Sequence, residues 1–200
     1  MTDFHHAWVP GSSDKVLLLL HGTGGDEHGL LEIGRAIAPG WSLLGVRGKV
    51  SENGANRYFR RFAEGVFDAE DLASRTTELA SWLNDETHPW QGQPLVVFGY
   101  SNGANMAANL MLTGSGILSG AAMLRPMVPS EPVPGLHLEG VKTQVQVGSA
   151  DPICPPEDGK RLASLLEAAG AETLLRTTGT SHSLTQADIL AATEFMAAFG

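Results

Sequence analysis

The chain has 200 residues, 42% hydrophobic and 18% charged, which suits one globular domain over residues 1–200. A formal net charge of −9 argues against nucleic acid as a partner, and a single cysteine, Cys154, excludes an internal disulfide and any cysteine-based metal cluster. The N-terminal residues lack a long apolar segment and the longest strongly apolar run, Val16 to Leu20, is far short of the ~20 residues that span a bilayer, so a cytoplasmic protein without membrane insertion is expected.

In chain order, "KVLLLL" (15–20) reads as a buried strand and 27–38 as a helix ended by Pro39-Gly40. "WSLLGV" (41–46) is a second strand, followed by a long loop from 47 to 67. Asp68, with Asp71 three residues on, caps a helix reaching about Asn84. "PLVVFG" (94–99) is a third strand and 102–112 a helix; "GAAMLR" (120–125) and "TQVQVG" (143–148) are further strands. A helix with proline at its start covers 156–169, "ETLLRT" (172–177) is the sixth strand, and Thr185 with Asp188 opens a last helix. Strands alternating with helices predict an α/β fold with a mostly parallel central sheet covered on both faces, whose ligands bind beyond the carboxyl ends of the strands.

One of those ends carries "GYSNG" (99–103), a G-x-S-x-G turn between a strand and a helix. The glycines relieve crowding in a turn that holds the Ser101 hydroxyl clear of the sheet, while the helix start aims N–H groups at developing negative charge. In a chain with 24 glycines the pattern alone decides little, and its partners decide it. A serine nucleophile needs a base held by an acid, following it in the order acid, then histidine. His182 is the only histidine after the fifth strand, and Asp151 follows that strand directly, whereas Asp158 and Asp188 read as surface or capping residues. The plain alternatives are a turn role for Asp151 and a loop role for His182. "HGTGGDE" (21–27) follows the first strand, and its Thr23 N–H together with the Asn102 N–H is the expected oxyanion hole. His21 reads as structural.

These residues, with "LLLHGTGGDE", "RYFRRFAEGVFDAEDL", "LRPMVP", "GSADPICP" and "SHSLTQADI", resemble the carboxylesterase/phospholipase family of α/β-hydrolases, which includes dienelactone-hydrolase-like proteins. The resemblance implies an α/β-hydrolase fold, ester hydrolysis by Ser101, Asp151 and His182, and a possible homodimer. Serine rather than cysteine at the elbow argues against dienelactone hydrolysis. Ser181 stands where the family usually has glycine before the histidine. The chain has no insertion long enough for a large lid, which suits small to medium soluble esters, and the chemistry requires neither cofactor nor metal. A thioesterase or lysophospholipase would use the same residues, and a non-catalytic binding protein on this scaffold would normally have lost one of them.

The loop "VRGKVSENGANRYFRRF" holds Arg47, Lys49, Arg57, Arg60 and Arg61, five of the 13 basic residues. They read either as an anion site, with Arg57, Phe59 and Arg60 as candidate substrate contacts, or as anchors paired with acids such as Glu64 and Asp68. The anchoring reading is favoured, because a loop of this length needs fastening.

Overall fold

The computed structural model of the chain describes residues 3–200. Its main sheet contains His6–Val9 (β1), Val16–Leu20 (β2), Ser42–Val46 (β3), Leu95–Tyr100 (β8), Gly120–Leu124 (β9), Lys142–Gly148 (β10) and Glu172–Thr178 (β11), in the spatial order β1-β3-β2-β8-β9-β10-β11. All neighbours are parallel except β1, which runs antiparallel to β3 along one edge. Five helices follow: Leu31–Ile37 (α1), Ala69–Leu83 (α2), Asn102–Leu112 (α3), Pro156–Ala168 (α4) and Gln186–Ala197 (α5).

The apolar strand runs are explained by burial on both faces. Leu17, Leu19, Leu43, Val96 and Phe98 point to one side, against Ile37 of α1 and Ala192, Phe195 and Met196 of α5. Val16, Leu18, Leu20, Val97, Met123 and Val145 point to the other, against α2, α3 and α4. The expected mostly parallel sheet, covered on both faces and without a large lid, is therefore present among the described residues. No helix among them is long and apolar enough to cross a membrane.

Sequence and structure differ in three places. The helix expected from 27 begins only at Leu31, because the Asp26 carboxylate accepts the N–H groups of His28 (2.9 Å) and Gly29 (3.0 Å) and closes a turn first. The long loop contains two antiparallel hairpins, Val50–Glu52 (β4) with Ala55–Arg57 (β5) and Arg61–Ala63 (β6) with Val66–Phe67 (β7). The first turns on Asn53-Gly54 with φ of 52° and 85°, the left-handed pair that favours this dipeptide. The edge strand β1 was not expected, since four partly buried residues give too little pattern. The two cap signals hold: the Asp68 carboxylate accepts the Asp71 N–H, and Thr185 with Asp188 forms a reciprocal capping box.

Candidate active site

Ser101 is placed by sterics. It sits between β8 and α3 with φ 52° and ψ −114°, a left-handed backbone that a non-glycine residue adopts only under constraint. A Cβ on Gly99 would lie 2.7 Å from the Gly103 carbonyl oxygen, and one on Gly103 would meet the carbonyl oxygens of Leu20 and His21 at the end of β2. Only glycine lets the helix start this close to two strands.

Two loops bring the other groups to the serine. The Ser101 hydroxyl lies 2.9 Å from His182 Nε2, and His182 Nδ1 lies 2.8 Å from Asp151 Oδ2. A carboxylate can only accept, so Nδ1 carries the proton and Nε2 is left to accept the serine O–H. Asp151 is held by its other oxygen, which accepts the N–H groups of Ile153 (2.8 Å) and Cys154 (3.0 Å). The Tyr100 hydroxyl donates to the His182 carbonyl at 3.0 Å, with its ring beside the imidazole.

The sequence did not reveal what holds the histidine loop. Arg125, at the end of β9, has its side chain fully buried and φ 55°. It donates to the Ser181 carbonyl (3.0 Å), the Thr180 hydroxyl (2.9 Å) and the Asp188 carboxylate (2.8 Å). Asp188 is thus a capping residue, as expected, but a buried one. Ser181 has an exposed side chain and no left-handed φ, so this loop does not require the family's usual glycine there.

Facing Ser101 is the loop after β2. Among the described residues no backbone carbonyl takes the Thr23 N–H, and Asn102, as the first residue of α3, presents an N–H that has no acceptor within the helix. His21 lies behind this loop. Its Nε2 accepts the Gly48 N–H (3.0 Å) and its Nδ1 donates to the Gly22 carbonyl (2.7 Å). Burial lowers its affinity for a proton, in keeping with a neutral structural role. The Asn102 side-chain oxygen accepts the Tyr58 N–H (2.8 Å), while its Nδ2 is buried without a partner among the described residues.

Ser101 and His182 open into a cleft of about 280 Å³, also lined by Thr23, Asn102 and Arg57. The other two candidate contacts are not there. Phe59 is fully buried against Phe67 and the α2–α3 core, and Arg60 is exposed outside the cleft, bound to Asp68 with Asp71 nearby. Both residues lie in the connection between two hairpins, whose course a loop of unknown shape did not disclose. Most of the basic loop residues are anchors: Arg47 on Glu27, Lys49 on Glu78 and Arg61 on Glu52. Glu64, one expected anchor, instead lines the cleft.

Asp151, Cys154 and His182 place one ligand-type atom each within 4.8 Å of the others. Burial first, then the neighbouring Asp151 charge, pushes the Cys154 thiol up to about 12. The three could share a cation only if the thiol gave up its proton and the His182–Asp151 hydrogen bond broke.

No protein-family model matches the chain. It is 44% identical over 183 residues to MhqD of Bacillus subtilis strain 168, which bears the name of a hydrolase; the match covers 90% of this chain and 92% of MhqD. Its structure matches the Bacillus cereus carboxylesterase with a TM-score of 0.92 and 40% identity, over 98% of this chain and 94% of that one. A carboxylesterase from Mesorhizobium loti matches with a TM-score of 0.89 and 32% identity, over 97% and 94%.

Proposed function

The chain belongs to the carboxylesterase/phospholipase family of α/β-hydrolases, and from that premise we propose that it is a serine carboxylesterase acting on small to medium soluble esters. The observation that carries this reading is the unbroken hydrogen-bond chain from Ser101 Oγ through His182 to Asp151. In the proposed reaction His182 Nε2 takes the hydroxyl proton as Ser101 Oγ attacks the ester carbonyl. The oxyanion is held by the Thr23 and Asn102 N–H groups, and the protonated imidazole then gives its proton to the departing alkoxide. Water attacks the acyl-enzyme with His182 again as base, releasing the acid and restoring Ser101. Asp151 fixes the ring's tautomer and stabilises its charged form. Among the described residues no helix lines the cleft other than α3, and this with its modest size supports soluble esters over lipid aggregates.

Labelling with a fluorophosphonate is the direct test. We expect one mole bound per chain, lost in Ser101→Ala, with turnover of 4-nitrophenyl esters of short to medium chain length. Faster turnover of matched thioesters than of oxygen esters would move the assignment to a thioesterase, and absence of labelling would remove it.

A homodimer is proposed along β11. This edge strand exposes Leu174 (43%) and Leu175 (38%). Antiparallel pairing of two copies about Leu174 would set Glu172 of each opposite Arg176 of the other. Sedimentation should show a dimer at tens of micromolar that Leu174→Lys dissociates; a monomeric wild type would refute it.

A further inference from the structure

Two basic residues of the 47–61 loop line the cleft, Arg61, which is held by Glu52, and the buried Arg57. Its side chain is 3% exposed, yet it lines the cleft with Ser101 and His182. The other arginines of this loop each hold a carboxylate by hydrogen bonds: Arg47 has Glu27, Arg60 has Asp68, and Arg61 has both oxygens of Glu52 at 2.9 and 3.0 Å. Arg57 has none. Its Nε donates to the Phe59 carbonyl (3.2 Å) and one terminal nitrogen to the Thr23 hydroxyl (2.7 Å), both neutral acceptors. The nearest carboxylate oxygen belongs to Glu52, at 3.8 Å, and is already taken by Arg61. The second terminal nitrogen of Arg57 makes no hydrogen bond with the described residues and is not among their solvent-sealed atoms. On a side chain this buried, that open edge faces the cleft.

We propose that Arg57 is the anion subsite of this enzyme and that its preferred esters carry a carboxylate. This rests on the esterase reading above. A desolvated guanidinium without a hydrogen-bonded carboxylate is costly to keep, and holding Thr23 and the Phe59 carbonyl needs only neutral donors. A substrate carboxylate supplies the missing partner through a charge-assisted hydrogen bond. The one carboxylate lining the cleft, Glu64, is exposed and screened by solvent, whereas Arg57 is not. Burial, the largest influence on Arg57, lowers its proton affinity and the Arg61 charge adds to this, outweighing the opposing Glu52 charge, so the net effect favours an arriving anion.

The experiment compares matched 4-nitrophenyl esters at constant ionic strength: pentanoate with hydrogen glutarate, hexanoate with hydrogen adipate, heptanoate with hydrogen pimelate, each corrected for spontaneous hydrolysis. At one or more lengths the charged ester is expected to show kcat/KM about tenfold or more above its neutral partner. Arg57→Met should bring that ratio to about one or below, Arg57→Lys should keep part of it, and Arg60→Met should leave it unchanged. Because Arg57 also touches Thr23, absolute rates will fall for both esters, and the ratio is the readout. A wild-type ratio of one or less at every length, or a ratio that survives in Arg57→Met, overturns the subsite. Turnover of both esters without preference does so while leaving the esterase intact. Absence of turnover together with absence of fluorophosphonate labelling refutes the esterase reading itself.

Discussion

At the scale of single residues, Ser101 is held in a backbone conformation that brings it no capping hydrogen bond, which is intelligible if the hydroxyl serves the neighbouring imidazole. Ser101→Ala is expected to lower kcat by roughly 10⁴ to 10⁶ with melting temperature nearly unchanged, and Asp151→Asn by about 10⁴, through the imidazole tautomer. A Ser101→Ala enzyme retaining a tenth of wild-type turnover would take the nucleophile role away. Cys154 makes the opposite case: its thiol lies in the cleft wall but, pushed up to about 12 by burial, stays protonated. At pH 8 iodoacetamide should therefore alkylate the native protein far more slowly than the urea-unfolded chain. Equal rates would show the wall to be open. The sequence made Ser101, Asp151 and His182 visible because each is nearly unique after the right strand. The pairing of Arg125 with Asp188 stayed hidden, since residues 63 apart leave no local pattern, and an arginine closing an apolar strand resembles an ordinary surface end.

At the scale of elements, the histidine loop depends on that buried pair. Arg125→Met should cost about 3–5 kcal/mol by stranding the Asp188 carboxylate, whose Oδ1 already lacks a partner among the described residues. Adding Asp188→Asn should restore part of the stability in urea denaturation, because the stranded charge is then removed. Strict additivity of the two losses would mean the residues do not act as a pair. The loop 47–67 is fastened by ion pairs that respond to pH. The Arg61 hydrogen bond holds the Glu52 carboxyl below its usual range; for Glu27, burial pushes up but the Arg47 hydrogen bond and charge win, so it too is lowered. Depressed carboxyl values stabilise the fold above the unfolded-chain value, about 4.3, and that contribution is lost as pH falls below it. Glu52→Gln should thus melt lower than wild type at pH 7 and converge with it near pH 3; a constant gap would refute the linkage. The two helices opened by side-chain caps were legible from sequence, as was the strand–turn–helix elbow. The hairpins carried one readable sign, Asn53-Gly54, but their strands of two or three residues are too short for alternation to register.

At the scale of the molecule, the candidate site is an assembly of strand ends. Thr23 follows β2, Ser101 follows β8, Asp151 follows β10, and His182 follows β11, so hydrogen-bonded neighbours in one sheet set their spacing. Both core layers contribute: α3 behind Ser101 packs in one, and α5, which begins just after the histidine loop, packs in the other. The order of the strands in space was not legible in the sequence, because each apolar run looks alike once both faces are buried. Such a construction makes function a property of the whole sheet. We therefore expect residues 1–200 to unfold as one cooperative unit, with esterase activity and far-UV circular dichroism lost at the same urea concentration. The loops after β10 and β11 decide how closely the two curves agree. Asp151 is tied by two backbone N–H groups and the histidine loop by the buried Arg125, so neither should loosen ahead of the core. Activity disappearing at clearly lower urea than the dichroism would mean that these loops open on their own. In Arg125→Met, where the tie is cut, that separation of the two curves is the expected result, which gives the measurement its internal control.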